Sequence, residues 1–457
     1  MSAATVLAEA GLKVRLFEKR PYFGGRATSY ALPDGTHIDN CQHVTLGCCT
    51  NLANFYERTG ESAKIRHYRE LYFADRRGRM STIKSSALPP PFHTSLSFLR
   101  FGALGYGDKR GVAQALLRIA RSGGKPRDAA GRSMREWLQA NGQTDAAIRR
   151  FWHVVLVSAL DEELVFTDAH YGIDVFWKAF LKNREGYVLG IPSVPLGDLY
   201  AGCRKSIESK GGEMRARTPV RKLRFEDHKF LGVIFEDGSE QRADTCIAAL
   251  PHDALLEILP ETMRSQCPIF ANLNRLQTSP ITGVHLWYDR PVLNKPFLTL
   301  LDHSTQWIFN RSAVQDSDGK EQMQRGQYLQ LVISASYDLV PRGRQEIIEL
   351  CVQELGDVLP LSRTANLLKA TVVKEVNATF SPRPGVDQWR PDQTTGIHGF
   401  FLAGDWTRTG WPSTMESAVR SGYLAAEGVL ESAGTKKRLL VPDLPAEGFC
   451  RRWSKEV

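Results

Sequence analysis

No stretch of this chain constrains its fold more than the first 26 residues. Ser2 to Gly11 is rich in strong helix formers and ends on a glycine suited to the left-handed position that closes a helix. Leu12 to Phe17 then alternates in the manner of a short strand and delivers Glu18 at its carboxyl end. Helix, glycine, strand and acid, in that order, form the second half of a dinucleotide-binding βαβ unit. In the complete unit a first strand and a Gly-x-Gly-x-x-Gly turn precede the helix, and an acid about 20 residues on holds the ribose hydroxyls. The expectation is therefore that the first strand and glycine-rich loop are missing and that Met1 is an internal methionine. A third glycine just before Met1 would put Glu18 at the required distance.

Three constellations carry chemistry. Glu18 is followed by Lys19, Arg20, Pro21, Tyr22, Phe23, Gly24, Gly25 and Arg26. The paired glycines let the backbone approach a pyrophosphate, and Arg26 can neutralise it; the alternative reading of the pair is an ordinary turn after a strand, and the acid seven residues upstream of Gly25 changes the balance between them. Asp39-Asn40-Cys41-Gln42-His43 follows a short strand, Thr36 to Ile38. Asp39 and Asn40 read as side chains that tie down a buried loop, whereas Gln42 and His43 read as functional, His43 being the candidate proton donor. Phe400-Phe401-Leu402-Ala403-Gly404-Asp405-Trp406 is a buried strand ending in glycine and an acid, after which Ser413 to Glu416 opens a helix with the spacing of a capping box. The start of that helix suits a phosphate or the negative charge of a reduced flavin.

At 457 residues the chain exceeds what one core organises, so two domains are expected, interleaved along the sequence. Helical stretches at Val112 to Ile119, Ser133 to Ala140 and Ala146 to Leu160 mark a partly helical domain. Pro195 to Lys210 reads as a helix, and strands with turn signals at Glu226-Asp227-His228 and Glu236-Asp237-Gly238 follow. Strand-like runs at Gly283 to Tyr288 and Tyr328 to Ala335, with a helix near Gln345 to Leu355, suggest a second visit to the helical domain. The expected fold class is mixed α/β: a Rossmann-like dinucleotide domain made of 1–95, 195–262 and 366–433, an interleaved domain made of 96–194 and 263–365, and a loosely ordered tail, 434–457. Residues 89–107, proline-led and apolar, have two readings, a membrane-docking or channel-mouth element and a loop and helix packed on the second domain.

Lys and Arg total 59 against 50 Asp and Glu, a formal charge of +9. The basic residues are spread out and no nucleic-acid motif accompanies them, so weak attraction to an anionic membrane is expected rather than nucleic-acid binding. The eight cysteines include no Cys-x-x-Cys pair, which argues against a zinc site or a disulfide framework and fits a reducing cytoplasm. No signal peptide and no spanning helix are expected, so membrane contact would be peripheral, at the inner face.

Glu18 with Gly24-Gly25-Arg26, and Leu402 to Thr407 with Ser421-Gly422, resemble the amine-oxidase and phytoene-desaturase flavoproteins. Within that superfamily Asp39 to Cys48, Pro195 to Leu199 and Gly404 to Thr414 resemble the squalene-associated FAD-dependent desaturases, also called hydroxysqualene dehydroxylases, over nearly the whole chain. The resemblance implies FAD as cofactor. Glu18, with Lys19 beside it, would bind the adenosine ribose; Gly24, Gly25 and Arg26 the pyrophosphate; and Val220 the adenine through its backbone. Gly404 and Asp405 would hold the pyrophosphate and ribityl chain, and Thr414, Met415, Gln42 and His43 would lie at the flavin. Cys41 stands where such proteins commonly carry glycine. The implied reaction is reductive dehydroxylation of hydroxysqualene to squalene, with a long isoprenoid as substrate and the enzyme that makes hydroxysqualene as a candidate associate. The rivals are a carotenoid-type desaturase, an amine oxidase, and a non-catalytic partner that binds lipid or a neighbouring enzyme.

Overall fold

The computed structural model describes residues 1–315 and 326–454, so the parts of the expected second domain at 316–325 and of the tail at 455–457 lie outside the described residues. The helix Ser2–Glu9 is buried from Ser2 to Ala8, and the strand Arg15–Phe17 follows it. That strand runs parallel to Glu213–Arg215, and a second parallel pair joins Cys246–Ala248 to Phe400–Leu402. The first helix packs on the long helix Met415–Ser432 and on Ala201–Glu208. Gly422 makes the first of these contacts possible: a Cβ there would fall 2.1 Å from Ser2 Oγ, so any side chain would force the two helices apart.

The fold is mixed α/β, as expected, and its largest element is a seven-stranded sheet. Its order is Leu367–Phe380, Thr278–Tyr288, Gln327–Ile333, Trp307–Asn310, Phe297–Leu300, Glu70–Ala74 and Met80–Lys84. All neighbours are antiparallel except Phe297–Leu300 and Glu70–Ala74. The sheet thus draws strands from both sides of positions 95 and 365. Strict alternation gives it two different faces. Val284, Leu286, Leu329, Leu331 and Ile308 are buried with Ile347, Cys351 and Leu355 of the helix Arg344–Val358. Each such side chain contributes about 1.5–3 kcal/mol by leaving water. The opposite, inner face presents His285, Gln330, Phe309 and Phe297 in one cross-strand row and Val332, Trp307 and Thr299 in the next.

Three expectations change. Ala146 to Leu160 is not one α-helix: a π-helical stretch, Ile148–His153, precedes Val154–Leu160. A second π-helical stretch, Phe176–Leu181, meets it through the aromatic contact of Trp152 with Phe176, whose ring centroids are 4.5 Å apart. The apolar segment 89–107 is packed on one side only: Phe98, Phe101 and Leu104 are buried while Leu96, Leu99 and Tyr106 are exposed. The tail is irregular but pinned. Leu439, Ala446 and Cys450 are buried, and the Val441 N–H donates to Asn51 Oδ1 at 2.8 Å. Such side-chain-to-backbone ties leave no periodicity in the sequence, which is why the tail reads as loose.

Candidate active site

Glu18 ends its strand with the backbone held on both sides. Its N–H donates to the Arg215 carbonyl and its own carbonyl accepts from the Thr218 N–H, both at 2.9 Å. This brings Glu18 alongside the segment that leads into Val220, the first residue of the strand Val220–Glu226. The Glu18 carboxylate accepts from the Arg20 N–H at 2.8 Å, and Lys19 is exposed.

The chain then turns through Gly24 and Gly25, whose φ angles are +110° and +63°. A Cβ on Gly24 would lie 2.5 Å from both the Ala27 carbonyl and the Tyr200 ring, so the turn is wound too tightly for a side chain. It directs Arg26 to the Ala378 carbonyl and, at 2.5 Å, to Asp405. Asp405 is buried and also accepts from the Ser413 hydroxyl. Asn40 joins the same cluster by donating to the Arg26 carbonyl at 3.1 Å and to Glu375 at 3.0 Å. The Gly404 N–H donates to Ser421 Oγ at 2.8 Å, tying the strand end to the long helix.

The capping box expected of Ser413 and Glu416 does not form. Thr414 is the cap, its hydroxyl accepting from the Ser417 N–H at 3.1 Å, because Ser413 is taken by Asp405. Glu416 caps a different helix, Thr50–Thr59: it accepts from the Leu52 N–H at 2.7 Å and from the Asn51 N–H at 3.2 Å. Burial raises its carboxyl pKa, and these donors and Arg420 oppose that shift. Met415 Sδ lies 4.0 Å from the Tyr56 hydroxyl.

On the other flank Asp39 accepts from Ser29 Oγ at 2.7 Å and the Leu196 N–H at 3.0 Å, which is the loop-tying role expected of it. Its second oxygen pairs at 3.1 Å with Arg311, a fully buried guanidinium that also donates to Gln42 Oε1 at 3.2 Å. His43 Nδ1 is 2.9 Å from the Cys41 carbonyl, which can only accept, so Nδ1 carries the proton and Nε2 is the free acceptor. Burial holds the His43 pKa below its ordinary value.

The structure thus links Arg26, Asn40, Asp405, Ser413 and Thr414 in one cluster, sets Gln42 and His43 beside it, and gathers Glu18 and Val220 at the end of the parallel strands. Three residues that complete the surroundings carry no local sequence signal. Arg311 is one. Arg390, also fully buried, donates to the carbonyls of Asp405, Thr407 and Trp411 and so shapes the loop after the acid. Asp161, in a left-handed conformation at φ 52°, accepts from the Ala335 N–H and Thr379 Oγ1, and burial raises its pKa well above the usual carboxylate range.

These residues fit a dinucleotide. An acid stands at a parallel strand end, a turn admits no side chain, a guanidinium lies next to it, and an 18-residue helix begins beside Asp405 with the unpaired amides that favour anionic groups.

Residues 1–430 match the family described as flavin containing amine oxidoreductase. The chain is 28% identical to the 15-cis-phytoene desaturase of Solanum lycopersicum, over 94% of this chain and 76% of that protein. It is 26% identical to the zeta-carotene desaturase of Synechocystis, over 94% of this chain and 95% of that one. Among solved structures, an oxidoreductase from Methanosarcina mazei superposes with a TM-score of 0.72 at 18% identity, covering 94% of this chain and 97% of that one. The cyclohexylamine oxidase of Brevibacterium oxydans gives 0.67 at 16%, covering 95% and 96%.

Replacing Asp405→Ala removes the charged partner of Arg26 and one anchor of Ser413. Bound flavin, read by visible absorption after desalting, is expected to fall about tenfold relative to the parent protein. Flavin retention equal to the parent would show that Asp405 does not organise the site.

Proposed function

The chain belongs to the flavin containing amine oxidoreductase family and is an FAD-dependent oxidoreductase; from that premise we propose that its substrate is a long isoprenoid and its reaction the reductive dehydroxylation of hydroxysqualene to squalene. The observation that carries the reading is the aromatic wall on the inner face of the seven-stranded sheet. Phe297 packs against Tyr68 and Trp307 with ring centroids 5.5 and 5.9 Å away, and Trp307 stacks on Phe309 at 5.5 Å. Trp307 is fixed in turn, because its Nε1–H donates to Ser158 Oγ on the facing helix at 2.7 Å.

Such a wall suits a polyene, and its π-faces suit the spread charge of an allylic cation. The polar side chains in its two central rows are His285, Gln330 and Thr299, none of them a carboxylate that would hold an ammonium substrate. When bound, FAD supplies hydride transfer. This chain's residues would bind and orient it through Glu18, Gly24, Gly25, Arg26, Val220, Gly404, Asp405, Thr414 and Met415, and the wall would keep water from the reacting carbon. His43 is the proposed proton donor. With Nδ1–H committed to the Cys41 carbonyl, His43 must first take up a proton on Nε2, and its lowered pKa confines that to acidic pH.

A second reading, dehydrogenation of a polyene, is supported by the similarity to proteins named phytoene and zeta-carotene desaturases. The motifs at Asp39 to Cys48 and Gly404 to Thr414 favour the dehydroxylase.

The segment 89–107 supports a peripheral membrane role. Leu96 is 50% and Leu99 59% exposed with the exposed Arg100 next to them in sequence, and the ring contact of Phe92 with Phe449 brings in the exposed Arg451 and Arg452 that follow Phe449. Among the described residues no helix is long and apolar enough to cross a membrane.

Three experiments test these readings. The reduced enzyme incubated with hydroxysqualene is expected to yield squalene, faster as pH falls, with His43→Gln abolishing that rise. Conversion of phytoene by the oxidised enzyme, without squalene formation in the first assay, would favour the desaturase. Co-sedimentation with anionic liposomes is expected to weaken with added salt and with Leu96→Ser/Leu99→Ser. Full recovery in the supernatant at low salt would refute membrane contact.

A further inference from the structure

The aromatic wall contains polar side chains that the fold itself does not use. His285 and Gln330 are directly opposed on neighbouring strands, so their side chains stand together on the inner face, and both are fully buried. Neither Oε1 nor Nε2 of Gln330, nor Nε2 of His285, has a hydrogen-bond partner among the described residues. Thr299 Oγ1, in the adjoining row, is also without one. Each buried polar group left unpaired costs about 1–3 kcal/mol. Leucine would fill the Gln330 position at similar volume without that penalty.

His285 is held in a defined orientation. Its Nδ1 lies 2.7 Å from the Tyr328 hydroxyl, and Tyr328 stacks on Trp287 at 4.6 Å with planes 5° apart. Burial and the charge of Arg311 bring the His285 pKa down to about 3, so the imidazole is neutral. The free Nε2 lies on the side of the loop that carries Gln42 and His43. A Cβ built on Gly283 would be 3.9 Å from His285 Nε2 and 3.3 Å from Cys41 Sγ. Through Asn40 that same loop is tied to Arg26. An alcohol oxygen both donates and accepts, and so can pair with an imidazole nitrogen and a carboxamide together. A plain hydrocarbon can pair with neither.

We propose that His285 and Gln330 form the subsite that binds the hydroxyl group of an isoprenoid alcohol, selecting it over the corresponding hydrocarbon. This rests on the isoprenoid reading above and adds the residues that would recognise the substrate's polar group.

The test uses the oxidised, FAD-loaded enzyme, which cannot turn over dehydroxylation, with hydroxysqualene as the alcohol and squalene as the matched hydrocarbon. Affinity is read from the perturbation of the flavin visible spectrum. The parent enzyme is expected to bind the alcohol at least about tenfold more tightly than the hydrocarbon. Gln330→Leu and His285→Phe are each expected to weaken alcohol binding about tenfold while leaving squalene binding unchanged or tighter. Equal affinity of the parent for both ligands, or equal loss of both in the variants, would overturn the subsite while leaving the isoprenoid reading intact. Binding of neither ligand to the parent would overturn both. The comparison within the parent enzyme does not depend on either variant folding.

Discussion

The ion pair of Arg26 with Asp405 joins positions 379 residues apart in sequence, and the rest of the site is arranged around it. Arg26 can reach Asp405 because the turn before it is wound through two glycines and carries no side chain to obstruct it. Asp405 is in place because its strand is paired in parallel with Cys246–Ala248 and its following loop is gathered by Arg390. Asn40 and Ser413 then attach the other two loops to the same pair. Positive charge on one segment and negative charge on another make the site a product of tertiary folding. Of the two groups, the Arg26 guanidinium beside the tight turn is the one suited to a phosphate, whereas the Asp405 carboxylate can only accept from hydroxyl or N–H donors.

Much of this was legible where a local pattern has a steric or electrostatic cause. Ser2 to Glu18 announces helix, glycine, strand and acid in order, and the structure has the helix Ser2–Glu9 and the strand Arg15–Phe17. Gly24, Gly25 and Arg26 could be read because so few residues tolerate that backbone. Glu416 shows where such reading stops. Its spacing from Ser413 is that of a cap, and it is a cap, but its partners Asn51 and Leu52 belong to a helix about 365 residues earlier. Arg311, Arg390 and Asp161 were invisible for the same reason: the groups that satisfy Arg311 and Asp161 lie 269 and 174 residues away, and Arg390 works largely through backbone carbonyls that any sequence possesses. His285 and Gln330 sit in runs that read as strands, yet polar residues interrupting an apolar strand ordinarily mark a solvent face. Only the packing of the Cys41 loop and the helix Val154–Leu160 over that face makes it an interior one.

The division of labour between the two halves of the fold follows from their chemistry. The dinucleotide side is built from charges, tight turns and helix ends, features that suit a polyanion. Groups of that kind address a cofactor, and a shared fold does not by itself name a substrate. Under the isoprenoid reading, specificity comes from the sheet and the helices facing it, where aromatic rings form the wall and a few polar atoms interrupt it.

A crystal structure of the FAD-loaded enzyme with bound squalene addresses the proposed function most directly. The long chain is expected to lie along Tyr68, Phe297, Trp307 and Phe309, between the inner face of the sheet and the loop of Gln42 and His43. Squalene bound elsewhere, or a pocket at that face too short to hold it, would contradict an isoprenoid enzyme built on this fold.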